Sequence, residues 1–487
     1  MLHTRSFWLL RGVLSALIIG PCALSPTALA GQGGTSVARQ TVVTIVAGEF
    51  HINGTPTYQG RTWRTSDGQT HRVQGLLLNS RMVQGTFDDL NPATRGQWAY
   101  PDTGQWDAER NTTEFLQAMA AWRAHGLLSF TLNLQGGCPY GYCRSQPWVN
   151  SAFESDGRLR PAFMARLGRI LDRADELGMV PMVGYFYFGQ DDRLSDEAAV
   201  VRAVDNATNW ILDRGYRNVL IEVNNECNVS YDHAILRCDR VHELIERVRG
   251  TERAGRRLHA STSLGGNSVP PAAVVEASDY VLLHGNGVAR PERLAEMIAE
   301  IRRLPGYTPK PIVNNEDDQP WRVAGQGWRQ DGNNFVEAVK HYASWGFFDF
   351  RLEPEHQDYN AGYQSVPVNW HASSPRKQQF FDLLAAITGS PGTPKVAIAW
   401  AGGAGSFEVT ADREIEASRR PRVEVLLNNE VVARASALPF RSSLGVLPTG
   451  SHAVKARLTY DEGGHDIVVE TPLHRNPWWP YGGPARP

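Results

Sequence analysis

Surplus positive charge is the first thing this 487-residue sequence lacks: 49 Lys and Arg stand against 51 Asp and Glu, a formal net charge of −2. Nucleic acids and anionic membranes are gripped by clustered excess cations, so neither is an expected partner. The N-terminal apolar stretch over residues 12–19 is cut short by Pro21 and Pro26, whereas spanning a bilayer takes roughly 20 apolar residues. With Arg5 and Arg11 before it and Ala28-Leu29-Ala30 after it, the stretch reads as a signal peptide over residues 1–30. The expected mature protein starts near Gly31, is secreted or periplasmic, and has no membrane span.

Cysteine is scarce too. Of five, Cys22 falls inside the leader, and the remaining four form two close pairs, Cys138 with Cys143 and Cys227 with Cys238. An even number in an exported chain points to local disulfides, with free thiols as the alternative. Histidines at finger-like distances are missing, so no zinc site and no other metal is expected. A glycine-rich phosphate loop is also missing: Asn79-Ser80-Arg81 follows the first expected strand, which argues against a dinucleotide enzyme.

What is present is an alternation. Between about residues 70 and 390, short apolar β-branched runs alternate with longer amphipathic stretches, the pattern of successive βα units. Strands are expected at residues 74–79, 128–134, 180–187, 218–223, 258–263, 280–284, 311–314 and 346–352. Helices are expected at 114–125, 161–177, 196–214, 234–249, 291–303, 334–345 and 377–388. Eight strands predict an α/β fold of the (β/α)8 TIM-barrel type, because an open doubly wound sheet usually has fewer. Asn53-Gly54 marks a hairpin before the barrel. Beyond a Ser-, Pro- and Gly-rich stretch at 389–395 the helical period stops, and short strands at 407–409, 422–427, 431–434, 452–459 and 466–471 read as a small β-sandwich resembling immunoglobulin-like modules. The expected organisation is a leader (1–30), an N-terminal hairpin segment (31–69), a barrel (70–390), a β-sandwich (391–475) and a tail (476–487).

A TIM barrel builds its site where strands end, so polar residues at the end of an apolar run are informative. The fourth strand stops at Asn224-Asn225-Glu226 and the seventh at Asn314-Asn315-Glu316. These strands face each other across the barrel mouth, so the two carboxyl groups can approach one bond from opposite sides. Retaining hydrolysis of a glycosidic bond needs such a pair about 5 to 5.5 Å apart. Close like charges make it costly for both to ionise, so Glu226 can hold a proton while Glu316 stays anionic.

On these residues the chain, over roughly residues 44–390, resembles clan A of the glycoside hydrolases, the retaining (β/α)8 enzymes that include cellulases, mannanases and β-galactosidases. In that clan Asn-Glu ends strand four with Glu as acid/base, and a Glu ending strand seven is the nucleophile; Asn225-Glu226 and Glu316 match. The resemblance implies that Asn225 hydrogen-bonds the sugar 2-hydroxyl, that His284 in Leu282-Leu283-His284-Gly285-Asn286 holds nucleophile or substrate, and that Arg81 keeps the nucleophile ionised. It implies a carbohydrate substrate and no metal or organic cofactor. Strand eight departs from the pattern: the clan carries a Trp there beneath the sugar, whereas this sequence reads Phe350-Arg351-Leu352-Glu353, and Trp370 is the expected substitute.

Asn133 and Tyr185 or Tyr187, ending strands two and three, are candidate sugar contacts, each with a plainer reading as core or rim. At least two of Trp98, Trp106, Trp148, Trp321, Trp328 and Trp370 are expected to touch substrate, since sugar C–H faces stack on aromatic rings. Asp317, Asp318 and Glu353 compete with Glu316 for the nucleophile's role and lack the acid spacing of a calcium loop. The alternative function is a non-catalytic carbohydrate-binding protein on the same barrel. A metal-dependent hydrolase is disfavoured because the strand ends lack clustered His and Asp.

Overall fold

The computed structural model describes residues 39–473 except 144, 323–326, 329–331, 351–361, 402–404 and 446–451. The expected leader, Glu353 and the tail lie outside the described residues, as does the side chain of Trp321.

Strands and helices alternate as β1 (Asn79–Arg81), α1 (Ala108–Ala124), β2 (Ser129–Asn133), α2 (Pro161–Leu177), β3 (Val180–Tyr187), α3 (Glu197–Asp213), β4 (Leu220–Asn225), α4 (His242–Gly250), β5 (His259–Ser261), α5 (Ala272–Ala277), β6 (Val281–His284), α6 (Pro291–Arg302), β7 (Ile312–Glu316), α7 (Asn334–Lys340), β8 (Gly346–Phe347) and α8 (Pro375–Thr388). A helical turn, Gln319–Arg322, lies between β7 and α7. Six strands form one parallel sheet in the order β5-β4-β3-β2-β1-β8, and β6 pairs with β7 in a second. Parallel bridges Val313–Ser344 and Asp317–Phe347 tie β7 to β8 and the residues just before it. On the other flank β5 and β6 share no ladder among the described residues, and the Asp279 N–H donates to the Ala260 carbonyl at 3.0 Å.

The strand starts enclose an apolar cluster that includes Leu77, Leu128, Val180, Met182, Leu220, Leu282 and Val313. An N-terminal meander closes this end. Val43–Val46 pairs with Glu49–Ile52, which pairs in turn with Thr55–Pro56 around Asn53 and Gly54, both at positive φ as an Asn-Gly turn requires. Phe50, fully buried, and Val43 complete the cluster. The strand starts are thus plugged with hydrocarbon, and polar chemistry is left to the opposite end.

Local signals explain most boundaries. α2 opens on Pro161, whose absent N–H is one of the orphans of a first turn, and closes at Gly178 in the left-handed conformation (φ 66°). Its Phe163, Leu167, Ile170, Leu171 and Ala174 recur at helical spacing and are buried. α1 begins earlier than expected, because Asp107 accepts from the N–H groups of Glu109 and Arg110 and makes the cap. Asn111 and Thr112, just before the expected start, face inward and donate to the carbonyls of Gln84 and Gly85, each at 2.8 Å. α4 begins late because the Cys227–Cys238 disulfide and a 3-10 turn at Ala234–Leu236 occupy the chain before it. The other expected disulfide, Cys138–Cys143, is also formed.

After α8, β9 (Val396–Trp400), β10 (Ser406–Ala411), β11 (Arg422–Leu427), β12 (Glu430–Ala435), β13 (Phe440–Ser443), β14 (Val454–Glu462) and β15 (His465–Pro472) make two antiparallel sheets, β9-β10-β13 and β12-β11-β14-β15. Alternate residues of both, among them Ile398, Phe407, Val409, Val423, Val425 and Leu458, share one buried core. α1 packs on β15, joining this part to the parallel sheet. No helix among the described residues is long and apolar enough to cross a membrane.

Candidate active site

At the open end, Arg81 is the hub. The last residue of β1, it is 1% exposed, and its guanidinium reaches three acceptors on two other strands. Nε lies 2.5 Å from Glu316 Oε2, Nη2 donates to Asn225 Oδ1 at 2.5 Å, and Nη1 is 3.4 Å from Glu222 Oε2. Burial works against its charge, but the neighbouring carboxylates of Glu316 and Glu222 outweigh it and raise its pKa. Only a rigid fork of donors serves three acceptors at once, which a lysine cannot do.

Glu222 and Asn225 both meet Arg81 although three residues apart, where a regular strand would point them to opposite faces. The alternation is broken between them. Asn224 turns outward, its Nδ2 donating to the Leu236 carbonyl at 2.7 Å and its Oδ1 accepting from Thr262. Glu226, which follows Asn225, sits at φ 54°, a left-handed conformation that costs a non-glycine residue roughly 1–2 kcal/mol. Three contacts hold it there: its N–H donates to Ser263 Oγ at 3.0 Å, its carbonyl accepts from Val229 N–H at 2.8 Å, and Cys227 is bridged to Cys238.

From β6, His284 Nδ1 lies 2.8 Å from Glu226 Oε1 and 3.7 Å from Glu316 Oε2, and Asn286 Nδ2 donates to Glu316 Oε1 at 2.5 Å. One oxygen of each carboxylate and one ring nitrogen of His284 all lie within 4.8 Å of one another. A triangle of that size can hold a metal ion, a cluster the strand ends do not suggest when read in sequence. Arg81, 2.5 Å from Glu316, already places a fixed cation beside it. Burial pushes the Glu316 carboxyl up; Arg81 and His284 pull it back, the charge of Glu226 adds to the rise, and the net position is above the ordinary value. Burial lowers His284, and Glu316 and Glu226 more than reverse that, so the imidazolium is favoured.

Asp317 stands directly behind. Its carboxylate accepts from Gln319 N–H at 2.9 Å, Trp345 Nε1 at 2.9 Å and Asn334 Nδ2 at 2.9 Å, while burial still pushes it up to about 7. Gly285, between His284 and Asn286, lies against this carboxylate: a Cβ there would be 1.9 Å from Asp317 Oδ2. Since Asp317 is held by several donors, the clash cannot be relieved by a rotamer change. Gly285→Ala is therefore expected to lose about 1–3 kcal/mol of stability, read from the urea unfolding midpoint; an unchanged midpoint would refute this close packing.

The structure gathers Arg81, Asn225, Glu226, His284 and Glu316 within a chain of direct contacts. Asn133, buried at the end of β2, packs over Gly184, with neither amide atom hydrogen-bonded. Tyr185 and Trp370 go elsewhere. Tyr185 points at α3, its hydroxyl 3.1 Å from Thr208 Oγ1, and it is Tyr187 that feels the charges of Glu316, Glu226 and Arg81. Trp370 is buried, donates from Nε1 to Asn111 on α1 at 3.1 Å and stacks on Tyr363. The indoles of Trp98, Trp106 and Trp148 are likewise buried, and Trp328 packs on Trp345, Phe347 and Phe380. The expected tryptophan platform is thus not found among the described residues: those rings fill the core.

Sequence reading passed over Glu222, Asn286 and Asn315, whose Nδ2 donates to Glu222 Oε1 at 3.3 Å. Glu222 did leave a signal, a charge inside the apolar run Val219-Leu220-Ile221-Glu222-Val223, where an unpaired carboxylate cannot stay.

No protein-family model matches this chain, and no curated protein does. Solved structures do, at low identity. A β-glucuronidase from Bacteroides uniformis shares 14% identity, with 91% of this chain and 53% of that one covered, at a TM-score of 0.41. An endo-β-1,4-mannanase from Thermotoga petrophila shares 11%, covering 86% and 100%, at 0.38. A glycoside hydrolase family 5 enzyme from Prevotella bryantii shares 12%, covering 64% and 95%, at 0.40. The chain spans about half the length of the β-glucuronidases it matches. Likenesses this distant say nothing about the activity of this chain.

Proposed function

We propose that this protein is an exported retaining glycoside hydrolase on a (β/α)8 barrel with an appended immunoglobulin-like sandwich, organised over residues 1–30, 31–69, 70–390, 391–475 and 476–487 as the sequence suggests. The observation that carries the reading is the pair Glu226 and Glu316, from β4 and β7, with carboxylate oxygens within 4.8 Å of each other. That falls short of the roughly 6.5–9.5 Å between carboxyls that inversion uses, and fits double displacement. The two acids stand in different surroundings. Glu316 is 4% exposed and held by Arg81 and Asn286, which suits an oriented anion attacking the anomeric carbon. Glu226, at 13%, is the more accessible, which suits a group that exchanges protons with the departing glycosidic oxygen and with water.

In the first step Glu316 forms a bond to the anomeric carbon as the C–O bond to the leaving group breaks, and Glu226 gives that oxygen its proton. In the second, Glu226 takes a proton from water, whose oxygen displaces Glu316 and restores both carboxyl groups. Asn225, with Nδ2 buried and unpartnered, is placed to donate to a sugar hydroxyl. Arg81 neutralises Glu316 in the ground state, and His284 holds the two acids in register.

The test is turnover of a panel of aryl glycosides, with the first-formed anomer followed by proton NMR. Retention is expected on at least one sugar. Inversion would reject double displacement, and binding of sugar without turnover would favour a non-catalytic carbohydrate-binding protein.

A further inference from the structure

With Trp98, Trp106, Trp148 and Trp370 buried and Trp328 packed on other aromatic rings, another described side chain offers a sugar-stacking surface. Among the described residues, Tyr142 is the only aromatic side chain that is substantially exposed, at 55%. It belongs to the loop after β2 that the Cys138–Cys143 disulfide closes. That loop is drawn over the barrel mouth by three contacts: the Cys138 carbonyl accepts from Gln364 Nε2 at 2.9 Å and from Gln84 Nε2 at 3.3 Å, and the Pro139 carbonyl accepts from Val366 N–H at 2.7 Å. The Tyr142 ring then meets Phe350 edge-on at 4.7 Å and Phe348 at 6.2 Å, two residues that follow β8. Gly141 makes the approach possible. It sits at φ 104°, and a Cβ there would be 2.4 Å from the Phe350 ring. The Tyr142 phenol is raised by burial and then by the charges of Glu316, Asp318 and Glu226.

We infer that Tyr142, braced by Phe348 and Phe350 and held out by the disulfide loop, is the platform on which a pyranose ring next to the scissile bond stacks. This rests on the glycosidase reading. An aromatic face offers a sugar's C–H groups a flat apolar partner, and its phenol offers a polar handle at the rim. Phe350, in the segment where the resemblance leads one to expect a tryptophan, backs a tyrosine from the loop after β2, the strand on the other side of β1.

The experiment compares wild type, Tyr142→Ala, Tyr142→Phe and Tyr142→Trp on a gluco-, manno- and galacto-oligosaccharide panel, with KM and kcat separated and binding measured by calorimetry. Tyr142→Ala is expected to weaken binding and raise KM about five- to tenfold, with kcat on activated aryl glycosides within about twofold. Phe and Trp variants, which keep the ring, are expected to stay near wild type. Unchanged KM in Tyr142→Ala, or a Phe variant as impaired as the Ala variant, would overturn the platform while leaving the glycosidase intact. A wild type that neither cleaves nor binds any sugar would overturn both.

Discussion

Glu316→Gln is expected to lower kcat/KM by at least about 10⁴-fold while leaving the fold intact. The amide cannot attack the anomeric carbon. It can still present an oxygen to Arg81, and its new NH₂ group can be met by the Asn286 side chain turned over, since Asn286 Oδ1 has no partner. Glu226→Gln should behave differently. On aryl glycosides whose leaving groups need no proton, the first step survives, the second stalls, and azide should restore turnover by replacing the activated water. The pH profile adds an independent check. Glu316 must be anionic to attack, and burial raises its pKa, so kcat/KM should fall as pH drops through a value above the ordinary carboxylate range. Asn286 favours the charged form, so Asn286→Ala should move that acid limb further up. Azide rescue of Glu316→Gln instead of Glu226→Gln would reverse the two roles, and wild-type rates in both would place the chemistry elsewhere.

Arg81→Met is expected to cost about 3–5 kcal/mol of stability, the largest loss from any single replacement at this site. Glu222 is fully buried and Glu316 nearly so, and Arg81 is the nearer of the two cations beside them, at 3.4 and 2.5 Å against 3.9 and 3.7 Å for His284. Removing it leaves two carboxylates with little solvent, which must protonate or admit water. Arg81→Lys should recover only part of the loss, because a single ammonium cannot reach Glu316, Asn225 and Glu222 together. Urea unfolding at neutral pH reads both. A loss below about 1 kcal/mol for Arg81→Met would show that the carboxylates are neutralised by something other than this guanidinium.

Much of this could be read in the sequence, for reasons that vary by element. α2 and β3 match expectation residue for residue because Pro161 and Gly178 bound the helix and the strand from Val180 to Tyr187 carries no charged residue. α5 was missed because six residues hold less than two helical turns, too few to show a period. β1 was placed early because Leu76, Leu77 and Leu78 form the strongest apolar run, but the ladder starts only at Asn79 and the leucines pack into the plugged end and its surroundings. The sandwich has two strands, β9 and β13, that pattern alone did not single out. At the site, Glu226 and Glu316 stood out because polar residues abruptly ended apolar runs. Glu222, Asn286 and Tyr142 did not, since their importance comes from what other strands bring to them. Tyr185 and Trp370 misled for the same reason: a strand's alternation and a loop's path decide which aromatic ring faces the mouth and which is core.

The two disulfides join cysteines only 5 and 11 residues apart, each within one loop. Four cysteines allow three pairings, and the two wrong ones must close long loops between the regions that follow β2 and β4. Loop closure grows costlier by about 0.6 kcal/mol per doubling of length, so an unfolded chain already favours the native pairing through local encounters. Oxidation can therefore precede assembly of the parallel sheet. In a newly made chain, the segment after Glu226 and the arm carrying Tyr142 would be cross-linked correctly before the strands they serve have found their neighbours.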